Sequence, residues 1–143
     1  MKHVYLLATF ALFTNIAFGQ ERVCNKDSIF KEIFSAYETK VEQYISKIAF
    51  EKCKVIEDKT KYDRAYKETL AFYENKIHEL KAKSFLHVQQ QDCKASDLEL
   101  KAYVAGFLSS AFHFQIFFED YEAIGQEFAN DMSQEISRIL KKQ

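Results

Sequence analysis

An all-α fold, an antiparallel up-down four-helix bundle, is predicted by three features of this sequence. Proline is absent, and of the three glycines only Gly106 and Gly125 lie beyond position 19. A sandwich or barrel needs many turns with special backbone angles, and this chain has almost no residues that adopt them readily. Apolar residues recur at steps of three and four, the period of a helix with one buried face. Ser96-Asp97-Leu98-Glu99 also fits the S-x-x-E capping box that opens a helix.

The chain begins MKHVYLLATFALFTNIAFG. Lys2 precedes an uncharged apolar run from Val4 to Phe13, and Ala17 and Gly19 supply small residues at the −3 and −1 positions of a signal-peptidase site. Residues 1–19 are therefore expected to be a signal peptide, and residues 20–143 a single helical-bundle domain. The run is too short to span a hydrocarbon layer of about 30 Å. About 124 residues of the 143 remain after cleavage, enough for one domain with a core of its own. The expected destination is extracellular or periplasmic.

Helix one is expected from about Asp27 to Phe50, capped by Asp27 or Ser28. Its stripe is Phe30, Phe34, Tyr37, Val41, Tyr44 and Ile48, widened by Ile29, Ile33 and Ile45. Helix two is expected from about Thr60 to Phe85, with Thr60 and Asp63 as a capping-box-like start and Tyr62, Tyr66, Leu70, Tyr73, Ile77 and Leu80 as its stripe. Helix three starts at the Ser96 box, with a stripe of Leu100, Val104, Phe107, Ala111, Phe114, Phe118 and Tyr121. The same phase continues through Phe128, Met132, Ile136 and Ile139. Unbroken, this helix would reach roughly 68 Å, against about 36–39 Å for the first two. A break is therefore expected between Glu119 and Gln126, helped by Gly125, giving four helices of similar length. The alternative is three helices, the third long and kinked.

That topology sorts the three cysteines. Cys24 precedes helix one and Cys93 precedes helix three, so both lie at one pole and can reach the ~5.5 Å Cα separation of a disulfide. Cys53 follows helix one at the opposite pole, some 35 Å away by helix rise. The expected bond is Cys24–Cys93, with Cys53 a free or intermolecular thiol in an oxidising compartment.

The third helix is apolar nearly all round. Leu108, Phe112 and Ile116 lie opposite its main stripe, leaving Ser109, His113 and Asp120 as a narrow polar strip. Such a helix is either central or has a second partner. Phe107, Leu108, Phe112, Phe114, Ile116 and Phe118 are the candidate surface for a protein partner or an apolar ligand.

Catalytic and metal readings are weak. Ser109 and His113 are neighbours on a helix, but Asp120 lies about 10 Å further along the axis, too far to orient the imidazole. Glu74 and His78 do not have the Glu-x-x-His spacing of di-iron bundles, and no H-E-x-x-H occurs. There is no glycine-rich phosphate loop and no cofactor motif. Lys and Arg number 20 against 21 Asp and Glu, spread along the chain, so no basic block points to nucleic acid.

The spacing Cys24-x28-Cys53-x39-Cys93 loosely resembles part of the pattern of insect odorant-binding proteins. That family's C-x-x-x-C pair and closely spaced C-terminal cysteines are missing, so no membership is read from it. Only the general idea of a hydrophobic-ligand carrier is kept. The chain is read as a small secreted, non-enzymatic helical protein acting by association with another protein or with itself. The alternative is a carrier holding an apolar ligand among Phe107, Phe112, Phe114, Phe118 and the tyrosines of helices one and two.

Overall fold

Four α-helices form where the apolar spacing places them: α1 (Lys26–Cys53), α2 (Lys59–Gln89), α3 (Asp97–Phe112) and α4 (Glu122–Lys141). α3 is prolonged by one π-helical turn, His113–Phe117. The structure is a computed structural model that describes residues 24–93, 96–117 and 121–142. The expected signal peptide and Phe118 lie outside the described residues.

Side-chain caps open α2 and α3. At α3 both halves of the box form: the Glu99 amide donates to Ser96 Oγ at 3.3 Å, and the Ser96 amide donates to the Glu99 carboxylate at 2.7 Å. At α2 the cap is Asp58, which accepts from the Lys61 amide at 2.8 Å, and not Thr60 with Asp63. α1 follows Asn25 and has no side-chain cap. Asp27, expected there, instead accepts from Gln89 Nε2 at 2.6 Å, while Lys26 Nζ donates to the Gln89 carbonyl at 2.8 Å. These two bonds tie the start of α1 to the end of α2.

Side-chain pairs fix the directions. α2 runs against α1, since Asp27 meets Gln89 and Glu38 meets Lys81. α3 runs with α1, since Glu32 meets Lys101 at 3.0 Å and Tyr44 meets Phe117 further along. α4 runs against α1, with Lys40 beside Asp131 and Lys47 beside Glu127. The chain thus alternates up and down. α1 and α3 each pack against every other helix, whereas α2 and α4 do not touch among the described residues. The bundle is a flattened one, with α1 and α3 on its short diagonal.

α1 carries the largest share of the core. Ile33, Phe34, Tyr37, Val41 and Ile48 are all buried on it, on the stripe its sequence shows. The helices are not of similar length. α1 and α2 have 28 and 31 residues, against 16 for α3 and 20 for α4. The surplus falls at the start of α2, where Tyr62 and Tyr66 are only half-buried and Thr69 is the first buried residue.

The chain reverses before Glu122, inside the expected interval, but Gly125 is not the breaker. It sits buried within the first turns of α4 because the π turn comes close to it there. A Cβ on Gly125 would stand 2.8 Å from the Cβ of Phe117. Both atoms are fixed to backbone, so relief requires the two elements to move apart. Gly125→Ala is therefore expected to destabilise the fold by about 1–3 kcal/mol despite alanine's better helix propensity. Urea denaturation of the two proteins checks this. Gly106→Ala is the control, since nothing lies within 4 Å of the position its Cβ would take.

Candidate functional site

The pole where α1 and α3 begin brings Cys24 and Cys93 together at disulfide distance, with Cα atoms 5.3 Å apart. Cys53 is buried at the end of α1 with no cysteine partner. Of the two roles expected for it, a free thiol suits this position. An intermolecular bond would require the last turn of α1 to open.

The candidate apolar residues of α3 separate into two groups, and not as the sequence pattern suggests. Leu108, Phe112 and Ile116 are core, not surface. The buried row is Leu100, Val104, Leu108 and Phe112, continued by Ile116 and Phe117. Steps of four advance roughly 40° beyond a full turn each time, so the buried face winds around the helix. The π turn adds a residue to its last turn, which brings Phe117 under the same roof as Phe112. Phe112 stacks on Tyr37 at 5.1 Å between ring centroids and lies 5.9 Å from Phe128. Phe117 meets Phe128 at 4.7 Å. This aromatic cluster is packed ring against ring, and a ligand among its members would have to displace them.

Of the two placed on the main stripe by their spacing, Phe114 faces outward and Phe107 is half-buried against the core. Phe107 is half-buried under the His87 imidazole, which stacks on it at 4.3 Å and hydrogen-bonds through Nε2 to the Tyr103 hydroxyl at 2.7 Å. Phe114 is 63% exposed, Tyr103 41%, and on α2 Leu86 is 62% and Phe72 50% exposed. Phe72 and Leu86 are two steps of seven apart and so share one face of α2. The Lys76 ammonium lies 4.8 Å over the Phe72 ring and donates to the Gln115 carbonyl at 3.4 Å, so Phe72 borders the π turn. Large apolar side chains are therefore exposed near both ends of the α2–α3 side, with the exposed Glu79–Lys83 ion pair between Phe72 and Leu86. Sequence periodicity missed Leu86 and Phe72, which lie off the α2 stripe, and Tyr103, which borders that of α3. Their signal was their bulk at positions where a solvated helix usually carries charge.

On the other side of α3 lie Ser109 and His113 of the polar strip, while Asp120 falls outside the described residues. The Tyr37 hydroxyl donates to the Ala105 carbonyl at 2.9 Å and makes a short hydrogen bond with Ser109 Oγ. Ser109 thus pairs with a tyrosine and not with His113. Burial raises the Tyr37 pKa above its ordinary value, with the Ser109 bond opposing weakly, so this phenol is a poorer acid than usual and supplies no base at neutral pH. Ser109 and His113 line a groove of about 270 Å³ between α3 and α4. On α1, Tyr44 donates to Asp131 at 2.6 Å. Its pKa is pushed up to about 12 by burial first, then by the Asp131 hydrogen bond and the negative charges of Asp131 and Glu127. Both tyrosines act as pins from α1 to its neighbours. Among the described residues no three His, Cys, Asp or Glu side chains gather closely enough to hold a metal ion.

Helical packing around a closed aromatic core defines an all-α four-helix bundle. No protein-family model matches the chain, and neither does any curated protein or solved structure.

Proposed function

We propose that residues 20–143 form an exported helical protein that acts by protein–protein association through the α2–α3 face. The observation that carries this reading is the set of large apolar side chains held in water there, with Tyr103 and Leu86 flanking the His87–Phe107 stack and Phe72 beside the π turn. Single apolar residues are ordinary on a surface, but the clustering of Leu86, Tyr103 and the His87–Phe107 stack on two adjacent helices supports a contact area, with the Glu79–Lys83 ion pair separating it from Phe72. Export is supported by the leader-like pattern of residues 1–19 and by the cysteine pair at disulfide distance. The carrier reading has less support in its original place, because Phe112 is locked in the core.

The test is a photo-crosslinking residue at position 103 of the mature chain, combined with sedimentation velocity over a concentration series. A discrete adduct at position 103, absent when the crosslinker is moved to exposed Glu68, together with loss of the complex in a Leu86→Ser, Phe72→Ser variant of unchanged melting temperature, supports the reading. A monomer at every concentration, with no adduct at 103 beyond that at 68, overturns it.

A further inference from the structure

A second groove, of about 480 Å³, opens between the first turns of α1 and the last turns of α2. Its floor is aromatic: Phe30 stacks on Phe34 with ring centroids 5.4 Å apart, and Phe85 meets Phe30 edge-on at the same distance. Ala82 lines it from the α2 side and is exposed, so the groove has an open mouth. This volume falls within the range of small-molecule sites, which take an apolar body and use a few polar groups to orient it.

The charges at the mouth are not equivalent. Lys81 is already engaged, donating to both oxygens of Glu38 at 3.1 and 3.2 Å. Asp27 is engaged by Gln89. Lys31 also lines the mouth and has no ion pair among the described residues, and His78, across the groove, has no hydrogen bond among them. The neutral Gln89 amide leaves Asp27 charged, but among the described residues Lys31 is the cation of the lining that has no ion pair, and it sits at the edge of an aromatic floor. The α3–α4 groove has no lysine or arginine in its lining, so it lacks this feature.

We infer that the α1–α2 groove binds a small anionic amphiphile, one carboxylate or sulfonate on an apolar chain or ring, with the apolar body on Phe30 and Phe85 and the anion at Lys31. This site does not depend on the association face, and either can fail without the other. The probes are dodecanoate below its micellar concentration and dodecanol, its uncharged counterpart, titrated calorimetrically into the mature protein. Dodecanoate is expected to saturate one site. Lys31→Gln is expected to weaken it about fivefold, the size of one exposed ion pair, while leaving dodecanol binding unchanged. Ala82→Phe, which fills the groove from an exposed position, is expected to abolish binding of both probes at unchanged melting temperature. Absence of saturable dodecanoate binding overturns the inference. So does binding that Ala82→Phe leaves intact, or a Lys31→Gln effect equal for acid and alcohol.

Discussion

Phe112→Ala is expected to lower stability by about 3–5 kcal/mol, the usual cost of emptying a phenylalanine site in a close-packed core. The ring is fully buried, stacked on Tyr37 and in contact with Phe34 and Phe128, so it joins α3 to α1 and α4 at once. The void cannot close cheaply, because Tyr37 is held in place by its hydrogen bond to the Ala105 carbonyl. Phe114→Ala, two positions further on, is expected to cost only about 0.5–1 kcal/mol, since most of its ring is already in water. Urea titration of both variants checks the contrast. Equal losses would mean that α3 is rotated relative to the arrangement described here. A Phe114 loss exceeding that of Phe112 would restore the periodic stripe as the buried face.

That contrast also marks where the sequence stops being legible. The helical class, the stripe of α1 and the start of α3 follow from local rules: i, i+3, i+4 spacing and a side chain that caps its own helix. The placement of Cys24 beside Cys93 follows from alternation of helix directions alone. The buried face of α3 does not, because that helix is apolar on two sides and only its neighbours decide which side is inside. A π turn then shifts the phase by one residue, and nothing in His113–Phe117 announces it. Gly125 reads from sequence as a helix breaker, yet it lies inside α4 and its reason is a close approach between two elements, which no local pattern encodes. The candidate surface suffers most from this. Of the residues named for it, Phe114 is exposed, Phe107 is half-buried, and Leu108, Phe112 and Ile116 lie in the core, while Leu86, Phe72 and Tyr103 are exposed large side chains that the stripes did not name. Residues whose role depends on packing phase are the ones that sequence periodicity misassigns.

The second large effect concerns Cys24 and Cys93. Replacing both with serine is expected to reduce stability by about 4 kcal/mol, because the bond they form closes a loop with a sequence separation of 69 and so restrains the unfolded chain. The same loss should follow reduction of the wild-type protein, and reductant should leave the double variant unaffected. Part of the linkage is duplicated. Lys26 and Asp27 already bind Gln89 at this pole, so the folded ends should stay in place without the bond, and the loss should lie in the unfolded state. Thiol titration supplies the second readout. The native protein should show no reactive thiol, since Cys53 is buried, and the denatured, unreduced protein should show one. Three thiols after denaturation would mean that no bond forms. One thiol together with a peptide map joining Cys53 to Cys93 would contradict both the pairing and the alternation of helix directions that places these cysteines at opposite poles.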